Sequence, residues 1–189
     1  MKLVVIGCSY GGLYALMDLL GAMTTDFPVP IVVVQHRAPD DQDEQRLAQV
    51  LSRYSALPVK DADHDEELKA PGVYLAPSDY HLLVEGARFQ LTVDEVVQYS
   101  RPSIDVLFES AARAYGQDVV GVLLTGYGRD GTAGMCAIHN AGGLTIAQDP
   151  ETALQGAMPR HAVEAGGVSE VLALEAIALR LQELARVAA

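Results

Sequence analysis

Six residues near the N-terminus, Gly7-Cys8-Ser9-Tyr10-Gly11-Gly12, combine a hydroxyl nucleophile with the glycines needed to expose it. They follow a short β-branched run, Leu3 to Ile6. Apolar residues at helical spacing come next, at Leu13, Leu16, Met17 and Leu20. The segment fits G-x-S-x-G, the pattern of a serine carried on a tight strand-to-helix turn. Glycine on either side permits the turn and removes side chains that would crowd the hydroxyl. The helix beyond supplies backbone N–H groups and a favourable field for a developing oxyanion. The competing reading is a glycine-rich turn that cradles a phosphate or a dinucleotide. The G-x-G-x-x-G spacing is absent, because Ser9 stands where the second glycine belongs. Cys8 is intrinsically the stronger nucleophile, but it adjoins the centre of the turn and reads as a buried structural thiol.

A serine needs a base, and a base needs a group that orients it. His36 closes the run Val32-Val33-Val34-Gln35-His36, at the end of a second strand. Adjacent parallel strands bring their carboxyl ends side by side, where ligands bind, so Ser9 and His36 can meet if their strands are neighbours. Otherwise His36 is a strand-end side chain satisfied by a loop carbonyl. Asp130 lies just past the apolar run Val119 to Thr125, in Gly126-Tyr127-Gly128-Arg129-Asp130-Gly131. An aspartate before a helix is usually an N-cap, so local sequence leaves capping and orienting roles both open. The order Ser, His, Asp differs from that of the α/β-hydrolases, which argues against the ordinary lipase or esterase fold. The backbone N–H of Tyr10, in the turn that opens the helix, is a candidate oxyanion donor. Arg37 and Arg129 flank the histidine and the aspartate, and Arg101 lies in a third loop. Together they could form a cationic rim around the site, or be merely solvated loop arginines. His81 is either structural or a contact on the substrate side, and His64, His139 and His161 read as surface or cap residues.

These residues must be positioned by the alternation around them. Ile31 to Val34 is strand-like, and a helix pattern crosses Leu47, Val50 and Leu51. Val73 to Ala76, His81 to Val84 and Arg88 to Val93 are short runs separated by turn residues, and they predict hairpin pieces near residues 72–93. Helical spacing returns over Ile104 to Ala114, and Val119 to Thr125 is a continuous apolar strand of the kind buried in a parallel sheet. Then come helix Gly131 to Asn140, strand Leu144 to Ala147, a short helix near Pro159 to Glu164, a strand near Val168 to Val171 and an amphipathic helix Ala173 to Val187. The pattern implies one domain over 1–189. It is a doubly wound, mostly parallel α/β sheet in three layers with a small antiparallel hairpin insertion.

Composition narrows the function classes. A formal net charge of −12 disfavours nucleic-acid binding, which needs a basic surface. Two cysteines without metal-ligand spacing argue against a disulfide scaffold or a zinc site. No apolar run is long enough to span a bilayer, and the N-terminus lacks the features of a signal peptide, so a cytoplasmic location is expected.

The motifs together resemble the catalytic domain of the CheB-type chemotaxis protein-glutamate methylesterases. The resemblance covers almost the whole chain. It is carried by Ile6 to Gly12, Gln35-His36, Pro71 to Pro77 with His81, Arg101 to Phe108, Leu123 to Gly131, and Ala147 to Asp149. It implies that Ser9, His36 and Asp130 are the catalytic serine, histidine and aspartate. It implies hydrolysis of glutamyl methyl esters on chemoreceptor signalling helices and deamidation of receptor glutamines, with no cofactor or metal. Three departures stand out. The family usually carries an N-terminal receiver domain, whereas this chain starts at the catalytic strand; that suggests a stand-alone member or an excised domain, and leaves room for a separate regulatory protein. The family typically has Met where this chain has Tyr127, in the loop that the resemblance implies helps form the oxyanion site through its backbone N–H. After the histidine the family usually shows Met-Pro, where this chain has Arg37-Ala38-Pro39-Asp40-Asp41. Two other classes remain: a non-catalytic docking module that keeps the fold, and a nucleotide-binding α/β protein.

Overall fold

A computed structural model describes residues 1–37 and 46–188. Every residue of the first strand, β1 (Leu3–Cys8), is buried. Val4, Ile6 and Cys8 face one apolar cluster, while Leu3 and Val5 face another. A strand buried on both faces belongs in the middle of a covered sheet. The chain then continues through α1 (Gly12–Gly21), β2 (Ile31–Gln35), α2 (Arg46–Ser52), β3 (Val59–Asp61) and β4 (Val73–Leu75). A hairpin follows, β5 (His81–Glu85) and β6 (Arg88–Thr92), and then α3 (Ile104–Tyr115) and β7 (Val119–Leu123). The last part is α4 (Thr132–Asn140), β8 (Leu144–Gln148), α5 (Ala157–Glu164), β9 (Glu170–Leu172) and α6 (Leu174–Ala188).

Seven strands form one sheet in the order β3-β4-β2-β1-β7-β8-β9, with every pairing parallel. Residues of α1, α2 and α6 bury one face, and residues of α3, α4, α5 and the hairpin bury the other. This is the doubly wound architecture. The chain winds outward from β1 through β2, then returns to β1's other side as β7. The switch point between β1 and β7 opens a crevice at the carboxyl edge of the sheet, the usual ligand position in such folds.

The short runs of residues 72–93 divide differently from the expectation. Only β5 and β6 form the antiparallel hairpin, turning at Gly86 with φ 58°. The run at Val73 is instead a parallel strand between β2 and β3. Val73, Tyr74 and Leu75 are all buried, the signature of an interior strand, and the neighbouring turn residues masked it. β3 was not anticipated: Val59-Lys60-Asp61 is a three-residue edge strand with too little apolar pattern to see. Among the described residues no helix is long and apolar enough to cross a membrane.

Candidate active site

β1 ends at Cys8, and Ser9 stands at the carboxyl edge with its N–H donated to Thr125 O (3.0 Å). Gly12 N–H returns to Ser9 O (2.8 Å), closing the turn that opens α1. The glycines of the motif have separate physical reasons. Gly11 adopts φ 81°, a left-handed conformation that favours glycine. A Cβ on Gly12 would lie 2.6 Å from Cys8 Sγ, and one on Gly7 would lie 2.3 Å from Ile104 Cγ2. Gly7 therefore admits the start of α3 against the sheet and takes no part in the bend. Cys8 is fully buried, and burial pushes its thiol up, which favours the neutral form over a nucleophilic thiolate.

The His36 N–H donates to Cys8 O (3.1 Å), which extends the β1–β2 register by one residue and sets His36 beside Ser9. Its ring Nε2 lies 2.7 Å from Asp130 Oδ2. Asp130 is 2% exposed, as a buried carboxylate that needs partners. They come chiefly from the N-terminus of α3. Asp130 accepts from Ser103 Oγ (2.9 Å), Ile104 N–H (2.8 Å), Asp105 N–H (2.9 Å) and Gly131 N–H (3.0 Å), besides His36. Burial alone would raise the Asp130 pKa. The hydrogen bonds from His36, Asp105 and Ile104 outweigh it and hold the carboxyl below its ordinary value. An ionised carboxylate accepts only, so the proton between the two residues resides on His36 Nε2. Nδ1 is left as the nitrogen with a lone pair.

Asp130 thus meets both the His36 ring and the start of a helix. It does cap a helix, but the helix is α3 and not the α4 that follows it; the residue at the α4 N-cap is Gly131.

Ser9 and His36 stand side by side, yet among the described residues the Ser9 hydroxyl makes no hydrogen bond. Among the described residues, the hydroxyl hydrogen-bonded to the other ring nitrogen belongs to Ser100, whose Oγ lies 3.5 Å from His36 Nδ1. Ser100 follows Gln98 and Tyr99, both at positive φ (50° and 64°), in a turn closed by reciprocal Val97–Ser100 backbone bonds. Sequence patterning offered no signal for it. Ser9 instead faces the loop after β7, where a Cβ on Gly126 would lie 2.8 Å from Ser9 Cβ.

The N–H groups of Tyr10 and Tyr127 have no partner among the described residues, as oxyanion donors require, whereas Gly126 N–H is taken by Gln155 O (2.9 Å). The Tyr10 and Tyr127 rings pack with centroids 5.5 Å apart, and both are more than half exposed. His161 braces this loop by donating Nδ1–H to Gly128 O (2.7 Å), a role its surface position in the sequence did not suggest. The three arginines separate. Arg37 points inward, its side chain 6% exposed, to Ala76 O (2.6 Å) and Asp61 (3.7 Å). Arg101 clamps its own loop through Asp79, Val93 O and Asp94 O. Only Arg129 is exposed without an ion-pair partner among the described residues. The Ala38–Asp41 part of the segment after the histidine lies outside the described residues. His81 is buried, with Nδ1 accepting from Ser103 N–H (3.2 Å) and Nε2 donating to Glu95 O (3.0 Å), so its contacts are structural. No group of His, Cys, Asp and Glu among the described residues could hold a metal ion.

A family model described as CheB methylesterase matches residues 4–181. The chain belongs to the CheB methylesterase family. The crystal structure of the Thermotoga maritima CheB methylesterase catalytic domain superposes with a TM-score of 0.91 at 38% identity, covering 97% of this chain and 98% of that one. A putative protein-glutamate methylesterase/protein-glutamine glutaminase of Leptospira interrogans is 44% identical over 176 residues, covering 93% of this chain and 90% of the relative. Its counterpart in Anaeromyxobacter dehalogenans, protein-glutamate methylesterase/protein-glutamine glutaminase 2, is 45% identical over 186 residues. That match covers 98% of this chain but 54% of the relative, so the chain spans about half the length of some CheB relatives and nearly all of others. The family is one of hydrolases.

Proposed function

We propose that this protein hydrolyses γ-methyl esters of glutamyl residues on chemoreceptor signalling helices, and the γ-amides of receptor glutamines, with Ser9 as nucleophile. One observation carries the reading. At the ends of adjacent strands, a buried carboxylate holds a histidine ring beside a serine on a strand-to-helix turn. The names of the relatives supply the substrate class.

Ser9 Oγ attacks the γ-carbonyl while its proton passes to His36 Nδ1. The carbonyl oxygen becomes an oxyanion held by the free N–H groups of Tyr10 and the Tyr127 loop, in the field of the α1 N-terminus. Collapse of the adduct breaks the C–O bond, and the His36 proton leaves with methanol; from an amide it leaves with ammonia. Water then attacks the acyl-enzyme, giving a proton to His36; the C–O bond to Ser9 breaks as His36 returns that proton to Ser9 Oγ, and the glutamic acid formed loses its proton to solvent. Asp130 keeps the proton on Nε2 and stabilises the imidazolium in both steps. No cofactor takes part. Around the nucleophile, exposed Tyr10, Tyr99 and Tyr127 offer apolar surface to a helical partner, and Arg129 offers a charge. Receptor signalling helices would place this work in the cytoplasm.

Two serines stand near the base, and the test separates them. A fluorophosphonate probe should label the wild type and Ser100→Ala but not Ser9→Ala, and methanol release from a methylated receptor fragment should vanish only in Ser9→Ala. Label on Ser100, or undiminished methanol release by Ser9→Ala, sinks the reading. Absence of label on any serine would favour a docking module without activity.

A further inference from the structure

The Asp130 carboxylate is aimed by a helix remote from it in sequence. Its Oδ2 is shared between His36 Nε2 (2.7 Å) and Ile104 N–H (2.8 Å), so its direction follows wherever the first turn of α3 stands. Asp105, in that same turn, donates its backbone N–H to Asp130 Oδ1 (2.9 Å). Its side chain reaches the other way. Asp105 Oδ1 accepts from Gly134 N–H (2.7 Å), the third residue of α4. The two acids thus exchange helices: Asp130, one residue before the α4 cap, caps α3, and Asp105, in the first turn of α3, caps α4. Each satisfies N–H groups that the other's helix leaves unpaired.

The helices touch at this point with no slack. A Cβ on Gly134 would lie 2.4 Å from Phe108 Cβ and 3.3 Å from Asp105 Cα. The Asp105 bond adds a directed tie to this packing, fixing the first turn of α4, and Asp130 just ahead of it, against the first turn of α3. We propose that Asp105 is a positioning residue of the hydrolase site, holding the Asp130 carboxylate to His36 by locking the starts of α3 and α4 together. The inference rests on the reading of His36 and Asp130 given above.

Stability gives a poor reason for an acid here. Asp105 is 5% exposed. Burial pushes its pKa up, Gly134 N–H pulls it down, and the charges of Asp130 and of Glu109 on its own helix push it up again, leaving it at about 6. Two carboxylates packed around the same pair of helix ends repel each other when both are ionised. The arrangement aims a group at the cost of that repulsion, as functional sites commonly do.

The test compares Asp105→Ala, Asp105→Asn and Ser9→Ala for methanol release and thermal unfolding. The Asn oxygen can still accept Gly134 N–H, whereas Ala cannot. Asp105→Ala should lose kcat by about tenfold or more with KM changed less than about twofold, because an orienting group is misplaced and a docking contact is not. Asp105→Asn should restore most of kcat and unfold no earlier than the wild type. Wild-type kcat in Asp105→Ala overturns the proposal. So does a loss explained by its unfolded fraction, or an Asn variant as impaired as the Ala one. Undiminished activity of Ser9→Ala would instead overturn the underlying reading, so the two failures are distinguishable.

Discussion

Gly126→Ala offers a sharp test of how Ser9, the proposed nucleophile, is held. The new Cβ would lie 2.6 Å from Met158 Cε and 2.8 Å from Ser9 Cβ. Ordinary carbon contacts are about 3.5–4.0 Å, so each contact must open by about 1 Å. Met158 ends in a flexible thioether and can give way. Ser9 Cβ cannot turn aside, because it is bonded directly to the backbone. Gly126 cannot retreat either. Its N–H is donated to Gln155 O (2.9 Å), its carbonyl accepts Met158 N–H (2.9 Å), and the preceding Thr125 carbonyl accepts Ser9 N–H (3.0 Å). The displacement is therefore imposed on Ser9. Overpacking of this kind costs about 1–3 kcal/mol of stability, and a misplacement near 1 Å costs about 10²-fold in rate. Gly86→Ala is the control. It has φ 58° and nothing within 4 Å of a Cβ, so it should cost about 1–2 kcal/mol with kcat intact. The assay is methanol release with thermal unfolding of both variants. Full kcat in a folded Gly126→Ala protein would refute the argument that this loop sets the position of Ser9.

Other outcomes follow from the same contacts. Asp105 has a folded-state pKa raised from 3.8 to about 6, so its protonated form favours folding. That contribution is full below the unfolded carboxylate value and is lost as pH rises toward 6. Asp130 is shifted down, so its contribution has the opposite sign and is lost only below pH ~4. Urea unfolding of wild type and Asp105→Asn should therefore diverge between pH ~4 and ~6.5, with the variant the flatter; parallel curves would contradict the assignment. Cys8 should resist iodoacetamide in the folded protein while half-buried Cys136 reacts first, as mass spectrometry of the alkylated sites would report. Arg129→Glu should lower kcat/KM for an acidic receptor helix and reduce its salt dependence. Arg37→Ala should instead lower stability by about 1–3 kcal/mol, because it removes a buried donor from Ala76 O. Equal effects of the two on salt dependence would restore Arg37 to the rim.

How much was legible in the sequence depended on whether a residue's reason is local. Ser9 was visible because its turn is built from contiguous glycines, and His36 because a strand-end position is read directly from an apolar run. The interior strands β1, β2 and β7 were visible as continuous apolar segments. β4 is as buried as these but only three residues long, so its length concealed its class. Ser100 and Asp105 could not be seen. Nothing near Ser100 in the chain marks it as a neighbour of a histidine 64 residues away. Asp105 looks like an acid in a first helical turn, favourable to its own helix dipole. Its side chain in fact serves α4, through a bond spanning 29 residues. Gly7 was assigned to the bend for the same reason, since the Ile104 side chain that requires it is remote in sequence.

Asp130 shows why the bland reading and the chemical one need not compete. A carboxylate buried alone would take up a proton, and a neutral carboxyl could not hold the proton on one chosen nitrogen of His36. The groups that prevent this are His36 and the backbone N–H groups of Asp105 and Ile104, the last two left unpaired by the start of α3. Capping α3 is therefore part of keeping Asp130 ionised. An ionised Asp130 places the proton on Nε2, which in the proposed mechanism leaves Nδ1 of the neutral ring to serve as base. The chain can deliver Ser, His and Asp in that order because β1, β2 and β7 are neighbours around the switch point. The third residue arrives only after the chain has crossed to β1's other side. The helix that makes its charge tolerable, α3, is the one that carries the chain into β7.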